Sequence, residues 1–133
     1  MTKGTFCVST KATMELVDIT QQINQILQQQ PAASGLLFLF NPHTTAGLTI
    51  NEGADPAVRG DIIRGFQHLV PQLNYRHLEG NSVAHIMATL AGSSLTVAID
   101  NNQMVLGTWQ RIFFCEFDGP RQRTVRWQVA PAK

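Results

Sequence analysis

The sequence predicts an α+β domain, a mostly antiparallel β-sheet or sandwich carrying about three helices. Three observations predict it. Strand-like and helix-periodic segments follow the order strands, helix, strands, two helices, strands. In the last third only turn signals, Asp100-Asn101-Asn102 and Gly119-Pro120, separate the strands, which suits antiparallel neighbours. The 133 residues fit a single domain, 1–133, with no repeat and no long linker.

Each element has a local reason. Phe6-Cys7-Val8-Ser9-Thr10 and Thr13-Met14-Glu15-Leu16-Val17 alternate weakly and read as strands. Asp18 or Thr20 can cap a helix that carries Ile19, Ile23, Ile26 and Leu27 on one side, and Pro31 with Gly35 ends it. Leu36-Leu37-Phe38-Leu39-Phe40 is an apolar run too short for a helix, so Gly35 to Phe40 reads as a buried strand. Ala46 to Ile50 supplies another. At Asp55-Pro56 the carboxylate accepts free amide hydrogens, and the proline forfeits no intrahelical bond. Val58, Ile62, Phe66 and Leu69 then recur at helical spacing until Pro71. Tyr75 to Asn81 reads as a loop. Asn81 or Ser82 caps a short helix with Val83, Met87, Leu90 and Ala91 inward, and Gly92 stops it. Ser94 to Ile99, Gly107 to Phe117 and Gln122 to Val129 are the closing strands.

Composition excludes several functions. The charged share is 14% against the usual ~25%, and the net charge is +1. A nonspecific nucleic-acid binder would need a larger basic excess. An apolar share of 44% is too high for a disordered chain. No apolar run reaches the ~20 residues of a membrane span, and Met1 to Thr5 lead into no signal-peptide core. The expectation is a cytoplasmic protein with no membrane and no nucleic-acid partner. Cys7 and Cys115 have no metal-type spacing and read as buried free thiols, a single disulfide being the alternative. The scarcity of charge means that Asn and Gln cover the surface, or that something else does.

Polar residues with chemical potential fall in three places. His43-Thr44-Thr45-Ala46-Gly47 follows a strand, and Glu52 and Asp55 stand at the mouth of a helix. Asp55 reads as a cap, Glu52 as either solvated or functional, and His43 has many ways to be an ordinary hydrogen-bonded histidine. His77 lies on a loop and His85 in the first turn of a short helix; together they can present two imidazoles to one metal ion, or each can bond a main-chain carbonyl. The amides at that helix start favour an anion such as phosphate. His68 reads as surface. Glu116 and Asp118 share a strand face, and two carboxylates there are costly unless paired or ligating. Arg121 and Arg123 can bridge to them across strands, or offer guanidinium groups to phosphate. Gln110 joins that face if no bulge intervenes, and Trp109 reads as core or interface.

These segments resemble the YjbQ-type family, whose members are often labelled secondary thiamine-phosphate synthases. The resemblance rests on His43-Thr44-Thr45-Ala46-Gly47, Asn51-Glu52, Asp55-Pro56, Tyr75 with His77, Asn81 with Ala84-His85, Leu106-Gly107-Thr108-Trp109-Gln110 and Cys115-Glu116-Phe117-Asp118-Gly119-Pro120-Arg121, in family order, from about Phe6 to Val129. It implies a compact fold that assembles as a homotrimer, with a polar cleft near a subunit interface. Its residue-by-residue reach is His43, Glu52, His77, Asn81, His85, Glu116, Asp118 and Arg121. Arg111 departs from a commoner Gly, and Asn101-Asn102 from a commoner acidic-Gly turn.

Residues and resemblance together lead to an enzyme. His43, His77 and His85 would bind a divalent metal, Zn or Mg, or act as acid and base. Glu52, Glu116 or Asp118 would move protons or complete the metal shell. Asn81, Arg121 and Gln110 would hold a small phosphorylated metabolite. The alternative is a non-catalytic trimeric module that binds a metabolite or metal. A purely structural trimer leaves the histidines unexplained.

Overall fold

The computed structural model describes residues 2–31 and 34–132. Among them the elements are β1 (Lys3–Ser9), β2 (Glu15–Asp18), α1 (Thr20–Gln28), β3 (Gly35–Phe40), β4 (Ala46–Glu52), α2 (Pro56–Leu69), α3 (Ser82–Ala91), β5 (Ser94–Asp100), β6 (Gln103–Met104), β7 (Gln110–Glu116) and β8 (Gln122–Pro131). The α+β class and its three helices are as the sequence predicts. The strands form two sheets, one in the order β1-β8-β3-β5-β6 and one in the order β2-β7-β4. Every pairing is antiparallel.

The sheets pack face to face. Leu37, Leu39, Val125, Val129 and Ile99 of the larger sheet meet Leu48, Ile112 and Phe114 of the smaller, and Ile23 and Leu27 of α1 join this core. Each such side chain contributes about 1.5–3 kcal/mol on full burial. The smaller sheet is covered on its other face too: Phe113, Cys115 and Phe117 pack against Val70 at the end of α2 and Ala84 and Met87 of α3. From Ile112 to Phe117 every residue is therefore buried. The helix layer of α2 and α3 lies on that side only, because only there does the sheet present a second apolar face.

Local chemistry explains most boundaries. Asp55 Oδ1 accepts from the Ala57 amide at 2.9 Å, capping α2 as expected. At α1 Asp18 Oδ1 accepts from the Thr20 amide at 2.9 Å, whereas the Thr20 hydroxyl accepts from the Ile112 amide at 2.8 Å and ties the helix to β7. Asn101 and Asn102 have φ of 49° and 57°, the left-handed geometry of a type I′ hairpin.

Three expectations are corrected and a fourth is narrowed. The strand expected from Gly107 begins at Gln110, because the Gln110 amide closes a turn on the Gly107 carbonyl at 3.1 Å. The run Leu36 to Phe40 is buried on one face only: Leu37 and Leu39 are inside, but Leu36 is 52% and Phe38 44% exposed. The reason is that β3 lies in the outer sheet, whose far face no described element covers. Cys7 is exposed and Cys115 buried, both free. Cys7 sits on the outward side of β1, while burial pushes the Cys115 thiol up to about 12. Of the two readings of Trp109, core or interface, the core reading falls, since the residue is 64% exposed. Among the described residues no helix is long and apolar enough to cross a membrane.

Candidate functional site

A cleft of about 420 Å³ opens where the β3–β4 loop, the start of α3 and the β7–β8 turn meet. Pro42, His43, Thr44, Thr45, His77, Glu79, Asn81, His85, Asp118, Arg121 and Arg123 line it.

Its floor is a buried ion pair at the end of β7. Glu116 is 0% exposed, and its two oxygens accept from four donors. Oε1 takes the Thr10 hydroxyl at 2.7 Å and Arg123 Nε at 2.8 Å; Oε2 takes Arg123 Nη2 and the Asp118 amide, the last at 3.0 Å. Burial by itself would raise the pKa of Glu116. The Arg123 guanidinium, the Asp118 amide and the Thr10 hydroxyl outweigh it and hold the carboxyl below its ordinary value. With four donors on its two oxygens, Glu116, expected as a catalytic acid or base, stands in this structure as a buried anchor. Arg123 Nη2 continues to the Thr45 hydroxyl at 3.0 Å, which fixes the far wall.

The β3–β4 loop hangs on Asn41, 1% exposed. Its Nδ2 donates to the carbonyls of His43 (3.2 Å) and Ala46 (2.8 Å), and its Oδ1 accepts from the His43 amide at 3.0 Å. The loop so held presents His43, whose Nε2 accepts from the Thr124 amide on β8 at 2.9 Å. Burial first, and the Arg123 guanidinium second, lower the pKa of this imidazole. A neutral imidazole has one lone-pair nitrogen. Here Thr124 occupies it, so that His43, expected as a metal ligand, stands in this structure as a hydrogen-bond acceptor to β8.

α3 brings the opposite wall. Its last turn closes on β4 because residue 47 is glycine: an added Cβ there would stand 2.7 Å from Ala91 Cβ and 2.9 Å from the Gly92 carbonyl. The other end of α3 presents His85, whose ring meets that of His77 edge to face with centroids 5.4 Å apart. Asn81 precedes the helix but caps nothing with its side chain. Nδ2 donates to Asp118 Oδ2 at 3.0 Å, and Oδ1 is buried without a partner among the described residues. Asp118 Oδ2 also takes Arg121 Nη2 at 3.0 Å, and Arg121 Nε donates to the Asp118 carbonyl at 2.7 Å. Ion pairing, one of the two readings of these charges, is thus the arrangement present, but Glu116–Arg123 spans the two sheets and is not a pair within a hairpin, because β8 returns into the larger sheet and not beside β7. Among the described residues no three His, Cys, Asp or Glu side chains stand together closely enough to hold a metal ion.

The cleft gathers His43, His77, His85, Asn81, Asp118 and Arg121 of the residues singled out in the sequence. Two do not join. Glu52 and Gln110 are register partners at the opposite end of β7, about 20 Å from Glu116 at six residues of strand rise. Glu52 Oε2 accepts from the Asp55 amide at 3.3 Å, and Gln110 Oε1 from the Gly107 amide at 2.8 Å. With no bulge in the register Gln110 and Glu116 share a face by alternation, but one heads the strand and the other ends it, so they do not meet. Arg111 lies at that far end too, its stem against Gly53 and its Nη1 on the Gln110 carbonyl at 3.0 Å, so it does not alter the cleft. Sequence reasoning missed Asn41. The signal was there, as an Asn-Pro pair directly after an apolar strand announces a side-chain-stabilised turn.

A small two-sheet α+β domain with a histidine- and arginine-lined cleft at one end of its inner sheet is the class defined so far. The comparisons give it a family. The model of the "UPF0047 protein YjbQ-like" family matches residues 4–132. A UPF0047 protein of Methanocaldococcus jannaschii is 50% identical over 117 residues, 87% of this chain and 85% of that protein. UPF0047 protein YugU of Bacillus subtilis is 46% identical over 123 residues, 90% of this chain and 92% of its own length. A crystal structure of a YjbQ/UPF0047-family protein from Clostridium acetobutylicum superposes with a TM-score of 0.91 at 42% identity, covering 96% of this chain and 99% of that one. A hypothetical protein from Aeropyrum pernix gives 0.92 at 35% identity, covering 99% and 100%. The chain belongs to the YjbQ-like UPF0047 family.

Proposed function

We propose that the cleft is the active centre of an enzyme acting on a small phosphorylated metabolite, with thiamine-phosphate synthesis as the reaction to test first. The observation that carries this reading is the convergence of His43, His77, His85, Asn81, Asp118 and Arg121 from four separate chain segments onto one cavity. In that reaction a carbon–oxygen bond to diphosphate breaks and the thiazole nitrogen forms a carbon–nitrogen bond to the same carbon. The protein's task is to align the halves and receive the charge of the departing diphosphate. Arg121 can receive it, since its side chain is 53% exposed and one end of its guanidinium is tied to Asp118. Of Glu52, Glu116 and Asp118, only Asp118 keeps a place at the cleft, where it orients Asn81 and Arg121. Asn81 Oδ1, without a partner among the described residues, would accept from a hydroxyl or amino donor of a ligand.

A divalent ion, Zn or Mg, fits this donor set in part. His77 and His85 would hold it, with oxygen ligands from Asp118 or the bound molecule. Bound there, it would supply positive charge to the phosphate oxygens. Homotrimeric assembly in the cytoplasm completes the reading: the uncovered face of β3, with Leu36, Phe38 and Phe40 outward, supports assembly. Two measurements test the proposal. Complementation of a thiamine-requiring bacterial strain is expected, and is expected to fail with His85→Ala; rescue by that variant would remove His85 from the reaction. Metal analysis of untagged protein is expected to find a bindable divalent ion.

One observation favours a second reading, a non-catalytic module. Glu116 and Asp118 are both engaged by arginine, so neither of these two acids is free to act as a base. That reading predicts thermal stabilisation by ligand without turnover.

A further inference from the structure

We infer that His43 enters the cleft as a fixed hydrogen-bond donor through Nδ1–H, recognising an oxygen of a phosphate-type anion and not a metal ion. The inference rests on the reading of the cleft as a phosphate site.

The geometry sets the tautomer. The Thr124 amide points its hydrogen at His43 Nε2 from 2.9 Å, and an N–H can be received only by a lone pair. Nε2 is therefore unprotonated, and in a neutral ring the proton sits on Nδ1. The converse tautomer would place two hydrogens against each other between His43 and β8. Thr124 is not free to turn away, because β8 pairs it with Cys7 of β1 in a seven-residue register. The ring cannot readily withdraw either, because Asn41 holds the His43 backbone at both its amide and its carbonyl. Burial and the Arg123 guanidinium oppose a second proton on the ring.

The consequence is chemical. Metal ligation through Nδ1 would require its proton to leave or move to Nε2, and Thr124 blocks the move. General-base catalysis through Nδ1 fails for the same reason. A donor, by contrast, suits this wall. Asp118 and the buried Glu116 are met by arginines, Glu79 stands exposed in the lining, and a bound anion needs N–H groups that are not already spent on Glu116 or Asp118. His43 offers one, and it stands in the same cavity as Arg121.

Two-bond proton–nitrogen NMR of the wild-type protein reads the tautomer directly. The expected pattern is a protonated-type shift at Nδ1 and a lone-pair-type shift at Nε2, unchanged when zinc is added. An Nε2–H pattern, or loss of the Nδ1 proton with zinc, would overturn the inference. Substitution separates the two ring nitrogens, because an Asn amide falls near Nδ1 and a Gln amide near Nε2. With inorganic phosphate as the probe, His43→Asn should bind within about threefold of wild type, and His43→Gln should bind about tenfold more weakly, the cost of one hydrogen bond. Thermal stability should follow the reverse order, since only Gln can still accept from Thr124. Equal phosphate binding by wild type and His43→Gln would overturn the donor role. Absence of phosphate binding by the wild type would overturn the anion part and the phosphate reading together, whereas phosphate binding with the wrong tautomer would strike this inference alone.

Discussion

The two ends of β7 both carry polar residues that the sequence marks out, yet they are built differently. At the Glu116 end local hydrogen bonds are joined by ones between residues far apart in the chain: Thr10 to Glu116 across 106 positions, Thr124 to His43 across 81, Arg123 to Thr45 across 78. At the Gln110 end they stay local: Glu52 serves Asp55 and Gln110 serves Gly107, each three positions away. A local bond finishes a turn and leaves the side chain near solvent. A long-range bond requires several strands to be in place, and it excludes water where it forms. Polar residues of similar composition therefore become a cleft at one end and ordinary punctuation at the other.

The comparison can be broken hardest at the buried pair. Arg123→Met leaves Glu116 charged and unpaired inside, and is expected to cost about 3–5 kcal/mol in urea unfolding. Combining it with Glu116→Leu should recover much of that loss. A cost below about 1 kcal/mol would mean that this end is no more demanding than the other. Acid adds an independent reading. The folded-state pKa of Glu116 is lowered, so its contribution to stability is present above the ordinary carboxylate range and is lost as pH falls through the lower folded value. Wild type should lose stability down through that window, and Glu116→Gln should lose less.

A middle-sized effect tests whether the loop depends on its buried amide. Asn41→Ala strands the Ala46 carbonyl and the His43 amide, and should cost about 1–3 kcal/mol. It should also disturb the His43 ring signals in NMR. Unchanged signals would show that Thr124 alone places the ring.

The sequence makes the local layer legible and hides the long-range one. Asp55-Pro56 announces the start of α2, and the periodic apolar residues announce the helices, because those signals lie within a few residues of their effect. The histidines and acids could be named for their chemistry. Their grouping could not, because it depends on register: Ala46 opposite Glu116 and Glu52 opposite Gln110 put two marked residues at the wrong end. Leu36 to Phe40 misled in a related way. A continuous apolar run fits a strand buried on both sides, and only the sheet order shows that β3 has one face uncovered.

The smallest expected effects belong to the far end. Glu52→Gln keeps an acceptor for the Asp55 amide, and Gln110→Ala removes a turn bond that is exposed. Each should stay within about 0.5 kcal/mol of wild type. Phosphate affinity, titrated on the same samples, should not change, because some 20 Å of strand separates these residues from the cleft in their own chain. A different result would carry a specific meaning. If Glu52→Gln left stability intact but abolished phosphate binding, strand geometry forbids an explanation within one chain. A neighbouring copy would then have to bring its far end to this cleft, and the two ends of β7 would be the two halves of one site.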